Sequence, residues 1–337
     1  AYEISCSLVG AEMCIRDRGT SASLSWGARS DVGLVRGHNE DSFLIQAPLF
    51  AVCDGMGGHA AGEVASAIAV RTIAEKAPAG ADDVLLGAAV EAANTAVIQG
   101  AEDGVGKPGM GCTASCCLLE EGKMSVAHVG DSRIYLLRRG TIVRVTHDHS
   151  YVEELVDSGQ ITADEARTHP SRSIITRALG SDPDMYADHF SLEVSNGDRV
   201  ILCSDGLSSM IPDSEIEALA VSSATPQQAA DNLVAAALTA GGLDNVTVVV
   251  VDVVDDGSAE KNRRRLAKRA GFVGALLVAL LVVTTAVCLA FVRGEWYLSV
   301  NDGTVGIYRG VNASVLGIPL GLSLIHISEP TRLQLIS

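Results

Sequence analysis

The sequence predicts an α+β fold in which antiparallel sheets carry helices on their outer faces, followed by one membrane-spanning helix. Three observations predict it. Most predicted strands are joined by short hairpins, the helical patterns occur in groups, and residues 271–292 contain no charged side chain. Hairpins join antiparallel strands, whereas single strands that alternate with helices would favour a parallel sheet.

The first half of the body contains three predicted strands and two predicted helices. Alternating apolar residues over 21–31 predict a strand at an exposed edge, and apolar runs at 43–45 and 50–53 predict two more. The helical patterns at 62–76 and 81–99 are rich in alanine, whose small side chain allows helices to pack closely on a sheet.

The second half continues with hairpins. The segment 111–129 is predicted to turn at Glu121-Gly122-Lys123, and a second hairpin turns at Arg139-Gly140. A short helix follows residues 146–150, and residues 160–180 form a polar insertion with another short helix. The remaining predictions are strands at 199–203 and 246–253 and helices at 213–220 and 226–240.

Aspartates recur at the ends of predicted strands. Asp54-Gly55 follows the run 50–53, Ser204-Asp205-Gly206 follows 199–203, and Asp244-Asn245 precedes the last strand. An aspartate at a strand end can hold a metal ion, and glycine lets a backbone carbonyl approach the same ion. Each pair alone is more often a simple turn, so the interpretation depends on the whole set.

The ordered set adds Arg36, Glu40-Asp41 and Gly130-Asp131-Ser132-Arg133 to those three signatures. It resembles the metal-dependent serine/threonine protein phosphatases of the PPM type (protein phosphatase 2C) over about residues 25–252. The resemblance implies an α-β-β-α sandwich of two antiparallel sheets flanked by helices. The arrangement of one membrane helix after that domain resembles that of the membrane-anchored bacterial members, which oppose Ser/Thr kinases.

The implied reaction is hydrolysis of phosphoserine and phosphothreonine on proteins by a water that two metal ions activate. Phosphomonoesters are anionic and hydrolyse very slowly unaided. Two hard cations lower the pKa of a water between them and neutralise phosphoryl charge. Such cations prefer oxygen ligands. The resemblance therefore implies two Mn²⁺ or Mg²⁺ ions, with a third in bacterial members, and phosphorylated proteins, including Ser/Thr kinases, as partners.

By this resemblance Asp54 bridges both metals and is catalytic, the Gly55 carbonyl helps hold one ion, and Asp205 and Asp244 hold the other. Asp131 matches the position that binds the third, weaker metal.

The remaining site residues are also implied by the resemblance. Arg36 is expected to bind the phosphate through its planar guanidinium and to be catalytic. Glu40 and Asp41 are expected to orient metal-bound waters. Ser173, in the insertion that resembles the family's flap, is assigned to the third metal.

Charge and cysteines exclude other classes. Residues 19–260 contain 14 Lys+Arg against 35 Asp+Glu, which is a net charge of 14 − 35 = −21, so a nucleic-acid partner would be repelled. The eight Cys form no C-x-x-C pair and no C-x5-R motif. This pattern favours buried free thiols in a reducing compartment over a zinc site or a cysteine-dependent phosphatase.

Two alternatives to a protein phosphatase stay open. One is a catalytically weak sensor or scaffold that uses the fold for binding, which would have no need of the full aspartate set and Arg36. The other is a metal-dependent phosphoesterase that acts on a small molecule or nucleic acid. A comparison of activity on phosphopeptides and on nucleotides would distinguish such a phosphoesterase from a protein phosphatase.

Residues 19–255 are predicted to be the phosphatase domain and 256–270 a basic juxtamembrane linker. As a helix, 271–292 would be about 33 Å long, enough to cross a bilayer. The basic residues before it place the phosphatase domain in the cytoplasm of a single-pass protein of the cell membrane and 293–321 outside. A buried soluble helix and a basic nucleic-acid patch are the less favoured alternatives.

Both ends are predicted to be foreign to the gene. Residues 1–18 and 322–337 resemble translated sequencing-adapter read-through, and we expect 293–321 to be a truncated extracytoplasmic segment. These ends are set aside in the fold prediction.

Met56 occupies the position where animal relatives carry the histidine thought to protonate the leaving group. His59 lies three positions later, and His147 and His149 are interpreted as capping or flap residues before the helix that begins near Tyr151. A metal-bound water is therefore the expected proton donor.

We predict that His59→Ala retains phosphatase activity within about tenfold of the wild type, because His59 is not the general acid. The measurement is kcat on a phosphothreonine peptide. A loss of about 10²–10⁴, which is typical of a missing general acid, would contradict this.

Overall fold

The computed structural model describes residues 15–21, 23–57, 61–254, 258–294, 296–301, 304–315 and 318–327. The chain divides into two compact units, Ala1–Asp256 and Gly257–Ser337. The predicted domain boundaries, and the adapter origin of both ends, stay predictions. Residues 1–14 and 328–337 lie outside the described residues, as does His59.

The first unit contains thirteen described strands and seven described helices. The strands are β1 (Ile15–Thr20), β2 (Leu24–Asp31), β3 (Ser42–Gln46), β4 (Leu49–Cys53), β5 (Gly55–Met56), β6 (Gly111–Cys112), β7 (Ala114–Glu120), β8 (Lys123–Val129), β9 (Arg133–Arg138), β10 (Thr141–Arg144), β11 (Asp188–Glu193), β12 (Arg199–Cys203) and β13 (Val246–Val253). The helices are α1 (Ala61–Lys76), α2 (Asp83–Glu102), α3 (Tyr151–Asp157), α4 (Ala163–Thr168), α5 (Asp205–Ser208), α6 (Asp213–Ser222) and α7 (Pro226–Thr239).

Two antiparallel sheets form the centre of this unit. One has the order β1-β2-β13-β12-β9-β10 and the other β11-β8-β7-β4-β3. Apolar residues of both sheets, among them Phe50, Val126 and Val249, pack together between them. A second core joins the five-stranded sheet to α1 and α2, and a third joins the six-stranded sheet to α5, α6 and α7. The predicted α-β-β-α sandwich is confirmed.

The two predicted hairpin turns owe their shape to residues with positive φ. Glu121 and Gly122 have φ values of 49° and 79°, and Arg139 and Gly140 have 53° and 83°. Positive φ at both central residues is typical of type I′ turns, whose twist matches that of the paired strands. These turns join β7 to β8 and β9 to β10.

The prediction of an exposed edge at 21–31 is wrong. Strand β2 lies between β13 and β1, and β1 runs from Ile15 to Thr20, partly inside the segment that was set aside. The sequence pattern also did not predict β11, which pairs with β8 at the edge of the other sheet.

The second unit contains a 37-residue helix, α8 (Ser258–Gly294), and an antiparallel sheet of β14 (Trp296–Asn301), β15 (Thr304–Val315) and β16 (Ile318–Ile327). Within α8, residues Gly271–Phe291 have a mean hydropathy of 2.7 and none of that window is buried. This helix is a candidate membrane span. Helix α2 is also long and apolar, but 44% of its window is buried in the first unit.

Candidate metal centre

The predicted site residues meet at one end of the sandwich, in a cavity of about 380 Å³. Of the nine predicted residues, eight line it: Arg36, Glu40, Asp54, Gly55, Asp131, Ser173, Asp205 and Asp244. The ninth, Asp41, is buried immediately before β3. Asp54 follows a strand of the five-stranded sheet, whereas Asp205 and Asp244 flank strands of the six-stranded sheet.

Burial and mutual repulsion weaken the acidity of these carboxyls. Burial raises the pKa of Asp54 well above its usual range, and the charges of Asp41, Asp205 and Asp131 raise it further. Burial likewise raises the pKa of Asp205 to about 6, with a contribution from the charge of Asp244. The pKa of Asp131 is raised for the same reason, burial first and the charge of Asp205 next.

The buried Asp41 carboxyl is held by two hydroxyl groups on the side of the six-stranded sheet. Its Oδ2 accepts hydrogen bonds from Ser204 Oγ at 2.8 Å and Thr247 Oγ1 at 2.7 Å. Burial nevertheless raises its pKa to about 7. The buried Oδ1 has no hydrogen-bond partner among the described residues.

These observations fit a group of divalent cations. The cavity concentrates buried carboxyls that cannot all ionise without added positive charge, and Asp41 leaves one buried oxygen without a partner. The donors are all oxygens, which Mn²⁺ and Mg²⁺ prefer. The described residues therefore suit the metals that the sequence predicts.

Asn245 fixes the loop that carries Arg36. Its Oδ1 accepts the backbone N–H of Glu40 at 2.8 Å, and its Nδ2 donates to the carbonyls of Val32 and His38, both at 2.9 Å. A single amide thus ties the loop between β2 and β3 to the start of β13.

Arg36 lies at the mouth of the cavity. Its Nη2 donates to Asp244 Oδ2 at 2.7 Å, and 54% of its side chain is exposed. The guanidinium can therefore contact both a carboxyl of the cluster and an anion that enters from solvent.

The turn that carries Asp131 joins the two sheets, because β8 belongs to one and β9 to the other. Gly130 has a φ of +106°, and a Cβ there would collide with the Thr113 side chain. His149 contacts the same glycine twice. The Gly130 N–H donates to the His149 ring at Nδ1 (3.0 Å), and the His149 backbone N–H donates to the Gly130 carbonyl (2.7 Å).

The two histidines after the β10 strand differ in their contacts. Of the capping or flap role predicted for His149, the capping part is wrong, because Ser150 caps α3. The His149 carbonyl instead accepts the Thr176 N–H of the 160–180 insertion at 2.9 Å, and the His149 Nε2 atom faces Asp188 Oδ2 at 3.0 Å. His147 Nε2 lies 2.9 Å from Asp157 Oδ2, at the far end of α3.

Thr113 is a site residue that the sequence analysis missed. It is fully buried, and its Oγ1 accepts the Asp54 N–H at 2.9 Å and lies 2.7 Å from Ser132 Oγ. Its own N–H donates to the Asp54 carbonyl at 2.8 Å. Thr113 therefore joins the Asp54 turn to the Asp131 turn. Thr113 lies between β6 and β7, and nothing in the local sequence distinguishes it from other threonines.

The chain is similar to known phosphatases. The family model "Protein phosphatase 2C" matches residues 37–240. "Serine/threonine protein phosphatase PstP" of Mycobacterium tuberculosis is 37% identical, and the match covers 88% of this chain and 67% of PstP. "Serine/threonine phosphatase stp" of Listeria monocytogenes is 36% identical over 65% of this chain and 92% of that protein.

Solved structures agree with these relatives. A crystal structure of the PstP catalytic domain in complex with two manganese ions is 42% identical, with a TM-score of 0.64. That similarity covers 69% of this chain and 99% of the PstP chain.

We predict that Thr113→Val destabilises the protein by about 1–3 kcal/mol, because the buried Asp54 N–H loses its acceptor. The displaced Asp54 should also raise the Mn²⁺ concentration that gives half-maximal phosphate release. Urea unfolding and a Mn²⁺ titration measure the two effects. Thr113→Ser, which retains the hydroxyl, is the matched control, and wild-type behaviour of the valine variant in both measurements would contradict the assignment.

We predict that the metal-free protein loses stability as pH rises from about 4 to about 7. The folded pKa values of Asp41 and Asp205, about 7 and about 6, exceed the unfolded value of about 3.9. Their contribution is therefore present at low pH and is lost as pH rises through the folded pKa values.

Mn²⁺ binds the ionised native state, so it should raise Tm more at pH 8 than at pH 5.5. Thermal melts in EDTA and in Mn²⁺ at both pH values measure this. A Mn²⁺ effect on Tm that is equal at the two pH values would contradict the prediction.

Proposed function

The chain belongs to the protein phosphatase 2C family. We propose the roles that its residues have in the hydrolysis of phosphoserine and phosphothreonine on proteins. The observation that supports the assignment best is the cavity at the end of the sandwich. It collects Asp54, Asp131, Asp205 and Asp244, with Arg36 at its mouth.

Asp54, Asp205, Asp244 and the Gly55 carbonyl are the proposed ligands of two Mn²⁺ or Mg²⁺ ions. When bound, such ions supply an activated water and neutralise charge on the phosphoryl oxygens. Gly55 has no room for a side chain, because a Cβ would collide with the carbonyls of Gly62 and Glu40. The backbone at this position can therefore lie close to its neighbours only as glycine.

Arg36 binds the phosphoryl group of the substrate in this proposal. Its guanidinium is half exposed and already oriented by Asp244, so it can donate two parallel hydrogen bonds to phosphoryl oxygens. Asn245 holds the surrounding loop and so limits the movement of Arg36. Glu40 and Asp41 orient waters within the centre, with Asp41 Oδ1 as the free acceptor.

Asp131 and Ser173 are the proposed ligands of a third, weaker metal. Both line the cavity, Asp131 from the turn between the sheets and Ser173 from the 160–180 insertion. Phosphorylated proteins are the proposed substrates, and Ser/Thr kinases that carry phosphothreonine are among them. The net charge of −21 over residues 19–260 disfavours nucleic acid.

We predict that phosphate release from a phosphothreonine peptide requires Mn²⁺, is abolished by EDTA, and falls at least 10²-fold in Asp54→Asn, because a neutral amide is a much weaker ligand for a hard cation than a carboxylate. The full chain in detergent is the sample. Asp184→Asn, an exposed carboxyl outside the cavity, is the matched control.

A folded protein that releases no phosphate from any phosphopeptide in Mn²⁺ would favour the sensor or scaffold alternative. Release from nucleotides in preference to phosphopeptides would favour the small-molecule phosphoesterase. Retention of activity in Asp54→Asn would contradict the proposed metal centre alone.

We propose that α8 anchors the protein in the cell membrane, with the phosphatase domain in the cytoplasm. The uncharged window Gly271–Phe291 follows six basic residues at 261–269, and by the positive-inside rule such residues stay on the cytoplasmic side. The match with PstP covers 88% of this chain, more than the 69% that the catalytic-domain structure covers.

We predict that the full chain sediments with membranes and resists extraction by carbonate, because a helix of 21 uncharged, mostly apolar residues is long enough to span the bilayer. Deletion of residues 271–292 should release an active soluble phosphatase. Protease added to intact spheroplasts should leave the phosphatase domain intact, and its digestion would contradict the proposed orientation.

A further inference from the structure

A second cavity, of about 480 Å³, lies beside the metal cavity. Helices α3 and α4 form one wall, and the segment from Asp205 to Ser214 forms the other. Asp131 and Asp205 line both cavities, so the two cavities adjoin at these metal-site residues. A ligand in one cavity therefore lies next to a ligand in the other.

Arginines are concentrated in this second cavity. Four of the 14 basic residues of 19–260 line it: Arg133, Arg144, Arg167 and Arg172. Arg133 donates to Asp148 from two nitrogens at 2.7–3.0 Å, and Arg144 pairs with Glu153. These two arginines are thus neutralised within the wall.

Two of the three arginines of the 160–180 insertion, Arg167 and Arg172, have no carboxylate partner among the described residues, whereas Arg177 pairs with Asp188. Arg167 donates only long hydrogen bonds, to the carbonyls of Ser208 at 3.3 Å and Ile211 at 3.4 Å. The exposed Arg172 guanidinium has no hydrogen bond or ion pair within the part of the chain that the structure describes. A peptide anion could therefore bind either one without displacing a salt bridge.

Most carboxyls that line the same cavity either pair with an arginine or belong to the metal centre. Asp148 and Glu153 pair with the two wall arginines, and Asp213 lies 3.6 Å from Arg133. Asp131 and Asp205 belong to the metal centre. Asp164 is the remaining carboxyl of the lining, so two arginines without a carboxylate partner, Arg167 and Arg172, stand against one such carboxyl outside the metal centre.

The distance to the metal centre suits a flanking residue of the substrate. Ser173 lines the metal cavity and Arg172, its neighbour in the chain, lines the second cavity. Adjacent Cα atoms are about 3.8 Å apart. An extended peptide advances about 3.3 Å per residue, so a side chain one to three residues from the phosphorylated one reaches this region.

We propose that the second cavity is a subsite for a second anionic side chain of the phosphoprotein, a carboxylate or another phosphate one to three residues from the scissile phosphoryl group. Arg172 is its specificity-determining residue and Arg167 assists it. This inference rests on the proposed phosphatase function. Guanidinium groups suit both anions because their planar fork matches carboxylate and phosphate oxygens.

The test uses the full chain in detergent with Mn²⁺ and a set of phosphothreonine peptides. Each peptide carries Gln, Glu or phosphoserine at a single position from −3 to +3. In the wild type we expect kcat/KM to be about tenfold higher for Glu or phosphoserine than for Gln at one or more positions, mainly through KM.

Arg172→Gln should remove this preference and leave kcat/KM for the Gln peptide within about twofold of the wild type. Arg172→Lys should keep part of the preference, since it keeps the charge but loses the fork. Arg71→Gln, an exposed arginine of α1 that lines neither cavity, is the matched control and should keep all of it.

Equal kcat/KM values for all wild-type peptides, or a full preference in Arg172→Gln, would overturn the subsite while leaving the phosphatase function intact. Absence of phosphate release from every peptide would instead overturn the phosphatase function, and the subsite with it.

Discussion

Buried carboxyls repel one another at the end of the sandwich where the two sheets meet. Asp41, Asp54, Asp131 and Asp205 are withdrawn from water at the end of the sandwich, and each has a raised pKa because burial and its neighbours disfavour the charged form. A fold would not normally retain such a group, since each ionised member costs free energy. The cost is removed when divalent cations bind, so the cluster is informative about function.

The surrounding hydrogen bonds hold the carboxyls against this repulsion. Thr113 ties the Asp54 turn to the Asp131 turn, and Asn245 ties the Arg36 loop to the start of β13. Gly206 has no room for a side chain because the Asn245 carbonyl occupies that space. These contacts fix backbone atoms, so the carboxyls approach one another through rigid turns and not through flexible side chains.

Hairpins and apolar runs are local signals, so they predicted antiparallel sheets with helices outside, and the family resemblance supplied the sandwich and a set of residues of which eight line one cavity. Prediction from the sequence failed where the determinant is long-range. Thr113 acts on Asp54, and His149 acts on Gly130, through contacts that only the folded chain creates. Strand β2 is not at the edge of its sheet because β1 pairs with it, and the sequence of β1 shows no apolar alternation that would predict a strand. Strand β11 is a half-exposed edge strand, and its hydrophobic pattern is too weak to predict it.

The proposed metal ligands are divided between the two sheets. Asp54 belongs to the five-stranded sheet, Asp205 and Asp244 belong to the six-stranded sheet, and Asp131 lies on the connection between them. Cations bound to all of them would link the two layers, whose interior contact is made mainly by apolar side chains. Metal affinity and the packing of Phe50 against its partners in the opposite sheet are therefore thermodynamically linked. A substitution that creates a cavity in that interior, far from any metal ligand, would therefore lower the metal affinity without changing a ligand.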